Sequence, residues 1–162
     1  KDTYDWSTYK YCNGTLNTMT KYCTDSSYGT VDNKTSLELT DDAARVNWGG
    51  SWRMPTYEEL EELMDTDNCT WNWATKNGVK GYKVTSKKNG NSIFLPAAGG
   101  RNDSGLGNAG SYGFYRSSSL CEEYYSGTAS DGAFSVDFSS HGVYLGYIFS
   151  RCNGYSVRPV CE

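Results

Sequence analysis

Gly81-Tyr82-Lys83-Val84-Thr85, Lys88-Asn89-Gly90-Asn91 and Ser92-Ile93-Phe94-Leu95 stand in close succession. Two strand-like runs around an Asn-Gly pair read as a β-hairpin, because Asn and Gly accept the positive φ that a tight turn demands. Just upstream, Cys69-Thr70-Trp71-Asn72-Trp73 alternates in the same way and puts Trp71 and Trp73 on one face. Downstream, runs at 112–118, 133–138, 143–149 and 154–160, parted by Gly and Ser, predict further strands.

Before residue 68 the period is helical. Thr40 or Asp41 is the expected cap of a helix over 40–48 that Gly49-Gly50 ends. Thr56 with Glu59 three residues on forms a capping box for a second helix over 56–65, striped by Leu60, Leu63 and Met64. Residues 1–36 read as extended loop with room for one short strand. The expected fold class is α+β: two helices packed on antiparallel sheets, loop-rich, in one domain over 1–162.

Leu, Ile, Val and Phe make up only 24 of 162 residues, below the roughly 20% expected of globular chains. A net charge of −4 is too small to complete a disorder signature. Rings supply the missing apolar area, with 14 Tyr, 5 Trp and 5 Phe. Trp48, Trp52, Leu60, Leu63, Trp71, Trp73, Phe94 and Val157 are accordingly expected to be largely buried. No apolar run reaches the roughly 18 residues of a membrane span. A sequence pI near 5.0 argues against a nucleic-acid face, which needs clustered Lys and Arg.

Cys12, Cys23, Cys69, Cys121, Cys152 and Cys161 contain no CxxC spacing, so zinc-ribbon and thioredoxin-like sites lack support. One or two disulfides plus buried thiols is the expectation. Gly105-Leu106-Gly107-Asn108-Ala109-Gly110 matches GxGxxG, but Asn102-Asp103-Ser104 precedes it and Ser111-Tyr112-Gly113-Phe114 follows. That context is loop into strand, whereas a dinucleotide fingerprint runs from strand into helix. His141, the only histidine, sits in a turn-like Ser139-Ser140-His141-Gly142 and is expected to face solvent. No catalytic residue, metal ligand or cofactor is assigned. Asn13, Asn33, Asn68 and Asn102 head glycosylation sequons, meaningful only in a glycosylating host.

The composition breaks near the middle. All 9 Lys, 3 Met and 5 Trp lie within residues 1–88. Gln is absent throughout, and Glu occurs after residue 88 only at positions 122, 123 and 162. These five amino acids are the ones that a codon ending in a pyrimidine cannot encode. A merely lysine-poor β-rich half accounts poorly for missing Trp amid so many Tyr and Phe.

Gly49-Gly50-Ser51-Trp52-Arg53-Met54-Pro55-Thr56, Ser92-Ile93-Phe94-Leu95-Pro96-Ala97-Ala98-Gly99, Tyr115-Arg116-Ser117-Ser118-Ser119 and Gly154-Tyr155-Ser156-Val157-Arg158-Pro159-Val160 stand in order along the chain. This series, from about Asp5 onward, resembles the formylglycine-generating-enzyme-like branch of C-type lectin folds, in the group diversified by retroelements. The resemblance implies reverse transcription that randomises adenines in Asn codons near the gene's 3′ end, which would produce the compositional break. It further implies a non-enzymatic receptor or adhesin-like module with no cofactor. Its partner would be a protein or cell-surface molecule, and its setting the cell surface, the extracellular space or a phage particle. Relatives carry an upstream strand that pairs with the terminal one, and the chain is expected to start after it. Arg116 stands where the family usually has an aromatic. Enzyme-type cysteine motifs and calcium-dependent sugar triplets are not recognisable. Two other readings stay open: an oxidase of the formylglycine-generating type, and a structural surface domain without diversification.

The resemblance places the variable, ligand-displaying region at about 101–155. Candidate ligand-binding residues are Asp103, Tyr112, Phe114, Arg116, Phe134, Ser135, Asp137, His141, Tyr144, Leu145, Gly146, Tyr147, Phe149, Ser150, Cys152 and Tyr155. Val136 and Phe138 read as scaffold, and alternation puts Phe134 on the face of Val136. Tyr112, Phe114, Arg116, Phe134, Asp137, His141, Tyr144, Tyr147 and Phe149 are expected to form one partly exposed patch.

Overall fold

Both helices and the hairpin lie where the sequence puts them in a computed structural model, which describes residues 4–15, 17–121 and 131–161. Helix α1 spans Ala43–Trp48 and α2 spans Tyr57–Met64. The strands are β1 (Trp52–Arg53), β2 (Cys69–Lys76), β3 (Val79–Ser86), β4 (Ser92–Pro96), β5 (Gly100–Asn102), β6 (Gly105–Gly107), β7 (Tyr112–Leu120), β8 (Gly132–Ser139), β9 (Gly142–Ser150) and β10 (Val160–Cys161). The described chain is α+β, with four small antiparallel sheets ordered β1-β10, β2-β3-β4, β5-β6 and β7-β8-β9.

Asp42, rather than Thr40 or Asp41, caps α1. Its Oδ1 accepts the Ala44 and Arg45 amides at 2.8 and 3.0 Å, and its Oδ2 accepts the Met54 amide at 2.8 Å. One buried carboxylate thus satisfies the helix start and fixes the entry to α2. Gly49, at φ 67°, ends the helix. Thr56 and Glu59 form the expected capping box, and Glu59 also takes both guanidinium nitrogens of Arg53 at 2.7 and 2.8 Å.

The main core lies between α2, the β2-β3-β4 sheet and the inner face of β7-β8-β9. Leu60, Tyr82, Val84, Leu95, Tyr115, Val136 and Phe138 are buried there, with Leu63, Trp71, Trp73 and Leu145 packed against them. Phe138 touches four rings, stacking on Tyr115 at 5.7 Å and meeting Tyr82, Trp71 and Trp73 edge-on. Such contacts contribute about 0.5–1.5 kcal/mol per pair beyond burial.

A second, smaller core joins the two ends of the chain. Cys12, Met19, Cys23 and Cys152 are buried together, with Trp6, Tyr9 and Tyr28 around them. No disulfide joins any of the six cysteines in the structure, where one or two were expected. The Cys12 and Cys23 sulfurs donate instead to nearby carbonyls, those of Trp6 and Asp25, at 3.1 Å each. Asp41 anchors the same region by accepting Lys21 Nζ at 2.5 Å and the Tyr22 hydroxyl at 2.7 Å. Burial pushes the Asp41 carboxyl up, but hydrogen bonds from Lys21, Tyr11, Tyr22 and Lys10 outweigh it and hold the group below the usual carboxylate range.

Two further expectations change. Trp48 and Trp52 are exposed, at 59% and 37%, because each packs edge-on against the other at 5.2 Å beside the two-stranded β1-β10 sheet, outside the main core. Leu60 is buried as expected; Leu63, Trp71, Trp73, Phe94 and Val157 are half-buried. The strand expected over 154–160 is split into single bridges, Gly154 to Arg101 and Ser156 to Tyr115, before β10. Pro159, which has no N–H to give a ladder, precedes β10.

Gly113 faces the Phe138 ring so closely that a Cβ there would stand 2.1 Å from the ring carbon Cζ. Gly113→Ala is expected to lower stability by about 1–3 kcal/mol through overpacking. An unchanged urea midpoint would contradict this account of the core.

Candidate ligand-binding face

Strand alternation sorts β7-β8-β9 into two faces. Tyr115, Val136, Phe138 and Leu145 look inward. Tyr112, Phe114 and Arg116 on β7, and Ser135 and Asp137 on β8, look outward; Tyr144 and Phe149 lie opposite Asp137 and Ala133 on β9. Between Ser135 and Val136 the register slips by one β9 residue, with Gly146 in the gap at φ 94°. This bulge lets Tyr144 and Phe149 share a face although their separation is odd.

The outward face carries a connected set of rings. Tyr112 stacks on Phe114 at 6.1 Å, Phe114 stacks on Tyr155 at 4.8 Å, and Phe149 meets both Phe114 and Tyr155 edge-on at 6.0 and 5.4 Å. Phe114, Phe149 and Tyr155, with Arg101, Leu106 and Asn153, line a groove of about 520 Å³ under the β5-β6 hairpin. Its size falls within the range of small-molecule and peptide sites. Tyr112 is 42% exposed and Tyr144 50%. His141 is exposed in the β8-β9 turn, as expected, and its amide donates to Ser139 Oγ. Asp103 is exposed in the hairpin turn and accepts the Trp6 amide at 3.0 Å.

Other candidates do not reach the surface. Arg116 is 7% exposed. Its guanidinium donates to the carbonyls of Ala133, Phe149 and Ser150 at 2.8–2.9 Å and lies 4.4 Å from the Tyr155 ring centre. It braces the sheet by tying β7 to β8 and β9, which corrects its expected place among the ligand-binding residues. Ser135, Asp137 and Cys152 are buried as well. Phe134 and Leu145 belong to the opposite face: Phe134 packs on Tyr57 of α2 at 4.7 Å, and Leu145 packs against the main core. Ser150 is half-buried, with its Oγ 3.1 Å from Cys152 Sγ. The side chain of Tyr147 lies outside the described residues. The expected nine-residue patch is therefore reduced. Tyr112, Phe114, His141, Tyr144 and Phe149 are accessible or half-buried on its outward side, and Arg116 and Asp137 are scaffold beneath it.

Sequence reasoning missed the groove's other wall. Leu106, 55% exposed, and Arg101 come from the glycine-rich hairpin, where the sequence signals only a loop. The signal available was a lone Leu between glycines in an otherwise polar stretch. Among the described residues, no group of three or more His, Cys, Asp or Glu is arranged to hold a metal ion. No family model, curated protein or solved structure matches the chain.

Asp137 accepts the Ser135 hydroxyl at 2.9 Å, and burial pushes its carboxyl up to about 6, against partial relief from Ser135 and Arg116. Below its ordinary value of 3.8 the group is protonated in both folded and unfolded chains. Between about 4 and 6 the folded protein keeps a proton that the unfolded chain has lost, so stability falls as pH rises through that window. Asp137→Asn is expected to remove this slope and to raise stability at pH 7.5 by about 2 kcal/mol; parallel urea titrations at pH 4 and 7.5 check it. His141→Ala, by contrast, is expected to stay within about 0.5 kcal/mol of the parent in the same titrations, as for ordinary surface sites.

Proposed function

We propose that this chain is a non-enzymatic ligand-binding module, receptor or adhesin-like, whose C-terminal half displays retroelement-diversified side chains on a C-type lectin-like scaffold of the formylglycine-generating-enzyme-like branch. The carrying observation is a coincidence of composition and geometry. The half of the chain that lacks Lys, Met and Trp is the half that builds the outward face of β7-β8-β9 and its groove.

The side chains there suit recognition. Tyr and Phe offer large contact area with few rotors to freeze, and Tyr adds a polar tip. A chain of rings from Tyr112 to Tyr155, with Tyr144 exposed on the same sheet face, is an apolar surface that a monomer would otherwise avoid. Beneath it, Arg116, Ser135 and Asp137 are tied to strand backbone or to one another. Exchange of the rings above would leave those bonds in place. A protein or other cell-surface partner suits a broad face of this kind, with the module on a cell surface or a phage particle.

The DNA flanking the gene tests the reading. A near-copy of the 101–155 coding stretch is expected beside a reverse transcriptase gene, with adenines at the codons for Tyr112, Phe114, Tyr144, Phe149 and Tyr155. Amplicons from a population should vary at those codons and stay constant at Gly113, Val136 and Phe138. No such copy, or substitutions spread evenly over both sheet faces, would overturn it.

A further inference from the structure

On the inward side of the fold another cavity, of about 400 Å³, opens between α2, β4 and the segment that leads into β10. Leu60 and Leu63 of α2, Trp71 of β2, Ile93 and Leu95 of β4 and Val136 of β8 wall it, so it lies on the flank of the main core. Arg158 borders it as well. We infer that this cavity binds a free aliphatic monocarboxylate, with its chain against the core and its carboxylate on Arg158. The inference goes beyond the display surface and does not depend on diversification, because Val136 looks inward, away from the outward rings.

Two observations carry it. The first is the apolar wall. Leu63, Trp71 and Ile93 pack against the main core yet stay half-buried, and Trp52, 37% exposed, stands at the same cavity. Water against such walls finds few hydrogen-bonding partners, and an alkyl chain that displaces it gains affinity with each methylene it buries.

The second is an unmatched charge. Most polar groups of the lining are committed. Trp71 Nε1 donates to the Leu63 carbonyl at 2.9 Å, and the Tyr115 hydroxyl donates to the Pro96 carbonyl at 3.0 Å. The Glu59 carboxylate holds the Arg53 guanidinium, and Cys161 Sγ lies 3.1 Å from Ser51 Oγ. Arg158 is exposed, and among the described residues its guanidinium makes no hydrogen bond and no ion pair. Its charge is felt at the Tyr115 phenol on the cavity wall. A guanidinium presents a fork of N–H donors that fits a carboxylate, so at the border of an apolar recess it selects an anion with an apolar tail. Arg158 is the lining's one cation among the described residues, which suits a single negative charge rather than a phosphate. The volume lies in the lower part of the range for ligand sites, and suits a single chain of about eight carbons.

Octanoate is the probe, at a pH of about 7 where its carboxyl is ionised. Octylammonium is the same chain with the opposite charge, and both are titrated into the intact chain by calorimetry. Octanoate is expected to saturate with Kd of about 1 mM or tighter, and octylammonium to bind at least about fivefold more weakly. Arg158→Gln removes a side chain that bonds nothing among the described residues, so it should fold as the parent does. It should weaken octanoate at least about threefold, the scale of a solvent-screened ion pair, and leave octylammonium no weaker. Ile93→Trp fills the cavity and should abolish octanoate binding. Because the larger ring puts folding at risk, the decision rests on Arg158→Gln and octylammonium. No saturation by about 20 mM octanoate, equal binding of octylammonium, or parent-like octanoate affinity in Arg158→Gln would each overturn the proposal, as would a folded Ile93→Trp that still binds. None of these results bears on the flanking-DNA test, so the two readings fail separately.

Discussion

The ring of Phe138 is the contact on which the rest of the described structure depends. It stacks on Tyr115, meets Tyr82, Trp71 and Trp73, and lies against a backbone position where only Gly113 leaves room. Through these contacts one side chain of β8 locks the β2-β3-β4 sheet to β7-β8-β9. A chain with so few branched aliphatics has little else to bury, so aromatic edges and faces do the work that Leu and Ile do elsewhere.

This arrangement separates the packed core from the outward face. Rings that face inward are fixed by one another and by α2 through Leu60. On the outward face the buried members, Arg116, Ser135 and Asp137, are fixed by carbonyls or by each other. The rings above them touch mostly one another. Their replacement changes the surface while leaving both cores and the strand ladders in place, which is what a diversified module would require of its scaffold.

The N-terminal segment serves as a brace rather than a free arm. Tyr4 reaches the Cys152 carbonyl, Trp6 takes Asp103, and Arg151 reaches the Lys21 carbonyl, so residues far apart in sequence close over the sheet edge. Two unlike recesses result. Under the hairpin is an aromatic groove of about 520 Å³ lined by Leu106 and Phe149, and beside the brace is a smaller cavity bordered by Tyr9, Met54 and Arg116. Tyr155 borders both, presenting its ring to Phe114 and to the Arg116 guanidinium.

Local chemistry made the elements legible. The Thr56–Glu59 box, Gly49, the Asn89-Gly90 turn and the alternation around Trp71, Tyr115 and Val136 each fix backbone conformation within a few residues, so sequence alone determined the helices, the hairpin and the α+β layout. Phe134 was already ambiguous, since alternation put it beside Val136, and the structure resolves it inward. What only the tertiary structure decided was burial and partnership. Asp42 displaced its neighbours as the cap because Met54 comes from another element to share it. Trp48 and Trp52 stayed at the surface because no sheet covers β1, and Arg116 and Asp137 sank beneath the outward rings. These outcomes depend on which distant segments meet, and sequence spacing carries local periodicity but not that information.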